Sequence, residues 1–264
     1  MKGMVFKQSR EYREARRKLL FAGLSMPVLG LCMMPVAHAQ TPTSAWNPPN
    51  VVKFDYSLQG KWMGDVSGTG TLDWTYSSKS GAYSMEVNIS SFLLSFFYSS
   101  KGHYDKNAGI LPASYREKRI GRDRTVSFNY PNETLSYSWK PKDETRPLRE
   151  GAQDAISVLM QMIHQMRNGV EELRAGEHFV FPIARMGSVK EWSFSVVDLT
   201  KIKVKSEQYE AWHIKWISPK GDEATTVEMW LAPRLSYMPV KLYYWSEDGT
   251  KLDILLNKIR AFQS

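Results

Sequence analysis

The residue types that most often carry chemistry are sparse in this sequence. Beyond residue 39 there are four histidines, His103, His164, His178 and His213, and none stands with another His or a carboxylate at a metal-ligand spacing. No G-x-S-x-G elbow, phosphate-binding loop or dinucleotide fingerprint occurs. The adjacent carboxylates Glu171-Glu172 and Asp222-Glu223 fall in loop-like stretches, where solvated charge is the ordinary reading. Two well-separated carboxylates, as glycan hydrolases use, leave no local signature, so a glycan hydrolase stays open as an alternative. The residues thus nominate no catalytic group, no metal ligand and no cofactor.

The N-terminus accounts for much of the charge. Arg13, Arg16, Arg17 and Lys18 precede the apolar run Leu19–Val36, and Ala37-His38-Ala39 supplies a small-x-small site. This pattern predicts a signal peptide over residues 1–39, cleaved before Gln40. Pro27, Gly30 and Pro35 interrupt the apolar run, which argues against a permanent membrane anchor. Arg16-Arg17 suits the twin-arginine route as well as the general secretory one, and leaves the route open. Cys32 is the sole cysteine and lies in this leader, after Leu31 rather than a small residue, so a lipidated, disulfide-bonded or thiol-dependent mature chain is not expected. The leader carries +5 of the formal +8, leaving +3, and that balance does not point to nucleic acid. Removing 39 of 264 residues leaves 225, enough for one domain with a sizeable core.

Stepping along the chain, Gln40–Asn50 is rich in Pro, Thr and Ser and reads as a flexible lead-in, with a single β-rich domain over 51–264. Val51–Leu58, Lys61–Val66, Thr69–Tyr76 and Ala82–Ile89 alternate apolar and polar residues at the period of a half-buried strand. Further strands are predicted at 103–105, 113–120, 124–130, 135–140, 178–184, 190–197, 200–205, 209–217 and 251–259, and Thr225–Trp245 reads as two strands around Pro233 and Pro239. About a dozen strands with frequent turn signals suggest a sandwich, a barrel or a part-closed barrel. Pro141–Gly151 is charged and reads as a long connection. Asp154–Asn168 is the one convincing helix: Asp154 can cap it, Asn168-Gly169 can stop it, and Ile156, Leu159, Met160, Ile163 and Met166 make one apolar stripe. His164 reads as a surface residue.

Two stretches admit more than one reading. Phe92–Tyr98, F-L-L-S-F-F-Y, is apolar on both faces: a strand buried on both sides, the lining of an apolar cavity, or a loop touching a membrane. Arg116, Lys118, Arg119, Arg122 and Arg124 cluster as a charged outer face or as an anion patch, and Lys201, Lys203 and Lys205 likewise share one strand face.

Gly151-Ala152-Gln153-Asp154-Ala155-Ile156-Ser157, then Glu228-Met229-Trp230-Leu231-Ala232-Pro233 and Tyr237-Met238-Pro239-Val240, with an early Tyr56…Gly64 and a Leu111-Pro112-Ala113 step, resemble the exported bacterial family called domain of unknown function 3108. The resemblance covers roughly Val51 to Arg260. It implies a Gram-negative exported protein with one strongly curved antiparallel sheet, a half-barrel or part-closed barrel like the lipocalins and lipoprotein carriers, and one amphipathic helix packed on it. It brings no catalytic residues. Ala155 stands where the family commonly has Pro, which bears on how the helix starts.

Nine Trp and thirteen Tyr, beside a Met-rich helix, make a periplasmic, non-catalytic binding or carrier module the leading expectation. Its ligand would be apolar or lipid-like, held in a groove between sheet and helix lined by Phe96, Phe97, Met160, Ile163, Trp230 and Tyr243. The alternatives are a structural or assembly factor that binds an envelope protein, and the glycan hydrolase.

Overall fold

The strands begin where large apolar residues alternate with small or polar ones. In the computed structural model, which describes residues 46–263 apart from 93–94, 140–141, 169–172, 186 and 219–224, Val52, Phe54, Tyr56 and Leu58 are buried and their neighbours along the strand are not. The predicted leader, Cys32, Glu171-Glu172 and Asp222-Glu223 lie outside the described residues. The chain does carry that one cysteine, so it is not cysteine-free.

Fourteen strands follow in order among the described residues: β1 Val51–Lys61, β2 Asp65–Tyr76, β3 Ala82–Ser91, β4 Ser95–Asp105, β5 Gly109–Arg119, β6 Arg122–Asn129, β7 Thr134–Trp139 and β8 Lys142–Pro147. The helix α1, Ser157–Asn168, intervenes before β9 His178–Arg185, β10 Ser188–Val204, β11 Glu207–Ile217, β12 Thr225–Ala232, β13 Met238–Ser246 and β14 Lys251–Gln263. All pair antiparallel in one sheet of order β8-β7-β6-β5-β4-β3-β2-β1-β14-β13-β12-β11-β10-β9.

The expected half-barrel is not what forms. The sheet is open: among the described residues β8 and β9 are its two edges and no ladder joins them. The physical reason lies in what each edge meets. Part of the β9 edge is taken by Gln153, whose N–H donates to Pro182 O (2.9 Å) and whose carbonyl accepts from Ala184 N (2.8 Å). The β8 edge is a short, charged strand that ends at Pro147, a residue with no N–H to extend a ladder.

Several element boundaries also differ from the sequence reading. Lys61–Val66 is not a strand of its own but spans the β1–β2 hairpin turn, with Lys61 closing β1 and Asp65-Val66 opening β2, and F-L-L-S-F-F-Y divides between a tip at Phe92 and the start of β4. The strands expected at 190–197 and 200–205 are one, β10 over Ser188–Val204, because a bulge between Val196 and Asp198 lets it bend without breaking. The connection expected over 141–151 contains β8.

The helix is an internal element, not a lid with one apolar stripe. Met160 and Ile163 pack against Phe54, Trp74 and Met85, while Val158, Met162 and Met166 pack against Phe181, Ile183 and Phe194 from the other end of the strand order. Both sides are covered, so Gln161 and His164 are buried too. Within the predicted lead-in, Trp46 is buried; its N–H donates to Asn168 Oδ1 (2.8 Å) and its carbonyl accepts from Tyr104 OH (2.8 Å). Trp74 Nε1 donates to Pro49 O (2.8 Å), so this segment is fastened to both sheet and helix.

Candidate functional site

Past the helix, the apolar face of the sheet runs on towards the end where β1–β2, β3–β4, β5–β6 and β13–β14 turn. There the helix supplies no partner. Leu58 and Val66 form a buried floor, and Trp62, Ile89, Phe96, Leu252 and Ile254 pack over it. These side chains leave a cleft of about 510 Å³, with Arg119, Arg122 and Asp248 among its lining. A volume in this range, apolar walls and a few polar groups are what small apolar ligands require.

One wall of the cleft is stiffened by a buried charge. Glu117 of β5 is almost wholly buried, yet its carboxylate accepts from Arg185 Nε (2.8 Å) and Nη2 (3.1 Å) and from Tyr115 OH (3.2 Å). Arg119 adds a second cation, its Nε 2.7 Å from Glu117 Oε1. Burial pushes the Glu117 carboxyl up, but the hydrogen bonds and charge of Arg185, with the charge of Arg119, outweigh it and hold it below the usual range. The Arg119 guanidinium also lies over the Phe96 ring, 5.1 Å from its centroid, and so presents its outer edge to the cleft.

The motif Gln153-Asp154-Ala155-Ile156-Ser157 is an anchoring device for the helix. Asp154 Oδ1 accepts from the N–H groups of Ile156 (3.0 Å) and Ser157 (2.8 Å), and Ser157 Oγ accepts from Asp154 N (2.9 Å). Asp154 Oδ2 accepts from Ser100 Oγ (2.6 Å) of β4, which leaves Tyr83 OH (2.9 Å) as donor to that serine. Gln153 Nε2 donates to Ile110 O (2.8 Å), and Gln161 Oε1 accepts from Ile110 N (2.6 Å). Full burial, only partly offset by these bonds, pushes the Asp154 carboxyl up to about 6. His164 is buried rather than on the surface: Asn168 Nδ2 donates to its Nδ1 (3.0 Å), and burial pushes its pKa down, favouring the neutral ring.

On the opposite, polar face, register brings together residues that sequence spacing keeps apart. His213 sits with Nε2 2.8 Å from Glu228 Oε2 and Nδ1 3.7 Å from Asp198 Oδ1. Its ring stacks on Trp230 at 4.5 Å, and Lys241 Nζ lies 4.6 Å from the same indole. A cross-strand partner fifteen residues away could not be found from local spacing. Among the described residues, no group of three His, Cys, Asp or Glu is arranged to hold a metal ion.

The six residues expected to share a groove are dispersed. Phe96 lines the cleft. Met160 and Ile163 are fully buried between the sheet and α1, where no groove remains. Trp230 and Tyr243 lie on the polar face with His213 and Glu228, and Phe97 sits beside Asn88 and Lys118, out of the cleft that Phe96 enters. The cleft residues that sequence reasoning missed, Trp62, Ile89, Leu252 and Ile254, carry the ordinary alternation of any half-buried strand, which does not say that nothing lies above them.

A fold and site of this kind define an antiparallel, sheet-built domain with an apolar cleft. The chain belongs to the family described as Protein of unknown function (DUF3108), whose family model matches residues 56–255. No curated protein matches the chain. Among solved structures it is similar to a beta-barrel-like protein of domain of unknown function DUF1849 from Brucella abortus, at 10% identity, a TM-score of 0.56, and coverage of 82% of this chain and 100% of that one. That likeness is one of fold alone.

Proposed function

We propose that this protein is an exported, periplasmic, non-catalytic binding or carrier module for an apolar, lipid-like ligand. The observation that carries the reading is the cleft of about 510 Å³ walled by Trp62, Ile89, Phe96, Leu252 and Ile254, left open where the helix ends. Burying about eight methylenes there gains about 6 kcal/mol at about 0.8 kcal/mol each, which exceeds the lower end of the ordering cost of association. Arg119 and Arg122 suit the polar end of an amphiphile. The leader pattern of residues 1–39 supports export.

The test is organic extraction of protein purified from the envelope fraction, followed by mass spectrometry, together with displacement of a fluorescent naphthylamine probe by a long-chain fatty acid. Lipid is expected in the extract of the wild type and not in that of Leu252→Trp, which fills the cleft. Extracts free of lipid, with no displaceable probe binding, would refute the reading.

A further inference from the structure

The three most exposed large apolar side chains among the described residues are Phe92 (100%), Met63 (91%) and Ile120 (76%), and the next is Ile217 (58%). Single exposed apolar residues are ordinary on any protein surface. These four are not scattered. Register places the β1–β2, β3–β4 and β5–β6 turns, and the final residue of β11, at one end of the sheet, so all four stand at the same end. The turns at the opposite end are Ser77–Gly81, Lys106–Ala108, Tyr130–Glu133 and Lys205-Ser206, and the one exposed large apolar side chain described among them is Tyr130 (39%), whose hydroxyl donates to Pro112 O (3.0 Å). The asymmetry is one of position within a single sheet.

Cations accompany the tips. Ile120 stands between Arg119 and Arg122, with Lys118 beside them, and Met63 follows Lys61 and Trp62. Of the acids nearby, Glu117 is spent inside the wall on Arg185 and Arg119, and Asp123 is held by Arg116 (2.5 Å). Asp65, Asp143, Glu247 and Asp248 stand on the other hairpins of this end, so the β5–β6 side is net basic. Trp62, partly exposed beside Met63, is the residue type that settles at a bilayer interface.

From this we infer that the hairpin-tip end of the sheet docks on an anionic lipid bilayer, with Met63, Phe92 and Ile120 entering the headgroup–acyl boundary and Lys61, Lys118 and Arg122 meeting the headgroups. The tips sit on separate hairpins around the cleft mouth rather than in one continuous patch. A soft interface receives separate apolar points, whereas a protein partner needs a continuous, shape-matched surface. The cleft opens among the same tips, since Trp62, Ser95, Arg119 and Ile120 line it, so a docked molecule would face its cleft to the lipid. Docking itself does not depend on the cleft being occupied.

The test is co-sedimentation of the purified protein with sucrose-loaded vesicles of phosphatidylglycerol and phosphatidylcholine in equal parts, and of phosphatidylcholine alone. The wild type is expected to bind the anionic vesicles and to lose binding as salt rises. Replacing all three tips (Met63→Ser, Phe92→Ser, Ile120→Ser) should weaken binding at least tenfold with an unchanged urea midpoint, because these exposed side chains contribute little to the core. Lys61→Glu with Arg122→Glu should abolish the preference for the anionic lipid. Leu252→Trp should bind vesicles as the wild type does, which separates docking from ligand binding. No binding to either vesicle, or equal binding by the triple-tip variant, would overturn the inference. So would tip-dependent self-association in solution without vesicle binding.

Discussion

Arg185 of β9 lays its guanidinium along the carboxylate of Glu117 on β5, with Nε 2.8 Å from Oε2 and Nη2 3.1 Å from Oε1. These two strands are far apart in the strand order, and this pair ties them where no backbone ladder does. The Tyr137 hydroxyl, donating to Ser188 O (3.0 Å), makes a second such tie.

Breaking that pair from one side should be costly. Glu117→Ala leaves two arginines facing a cavity without a counter-charge, and about 3–5 kcal/mol of stability should be lost. Replacing Glu117 and Arg185 together (Glu117→Met, Arg185→Met) should recover part of the loss, since the more buried cation goes with the carboxylate while the partly exposed Arg119 can turn to solvent. Urea unfolding of the single and double variants measures both. A loss below about 1 kcal/mol for Glu117→Ala would show that the ion pair is incidental.

Asp154 makes a pH signature. Its folded carboxyl titrates at about 6 because it is buried, against about 3.9 in an unfolded chain. Between those values the folded state holds more protons, so this residue's contribution is full below about pH 4 and is lost as pH rises through about 6. The difference amounts to about 3 kcal/mol. The lowered carboxyls of Glu117, Asp105 and Asp123 act in the opposite sense, losing their contribution as pH falls. The measurement is therefore a comparison of wild type with Asp154→Asn, by urea unfolding at pH 4.5 and 7.5. The variant should gain relative to wild type at the higher pH, because it keeps an oxygen for the helix cap and Ser100 can accept instead of donate. A constant difference at the two pH values would exclude this role.

Gly109 tests how closely the helix approaches the sheet. Its φ is +82°, and a Cβ there would lie 2.2 Å from Gln161 Oε1, the atom that accepts from Ile110 N. Gly109→Ala combines left-handed strain with that clash, and should cost about 2 kcal/mol or more. Thermal unfolding measures it, and Gln161→Ala in the same chain should relieve part of the clash but not the strain.

The strands were legible because apolar residues recur at period two, as in Val52, Phe54, Tyr56 and Leu58, and the helix cap because Asp154 and Ser157 stand three apart. Global shape was not, since alternation says which side chains turn inward and nothing about where the sheet ends. The bulge at Val197 and the strand at Lys142–Pro147 escaped for the same reason: both depend on a neighbouring strand rather than on local composition. Met160 and Ile163 showed a helical stripe, but the other side of α1, at Val158, Met162 and Met166, is covered by Phe181, Phe194 and Trp216 from distant strands of the same sheet. The cleft was hidden because emptiness above Ile89 and Leu252 is a property of the assembled molecule.

Gln153, lying along the outer strand of one flank, and Pro147, closing the other, have a further consequence. A fourteen-stranded wall with bare flanks would recruit further copies of itself into fibrils. Here one flank carries Gln153 across Pro182–Ala184, and the other is short, charged and proline-stopped. Each flank thus carries a feature that hinders the addition of a further strand.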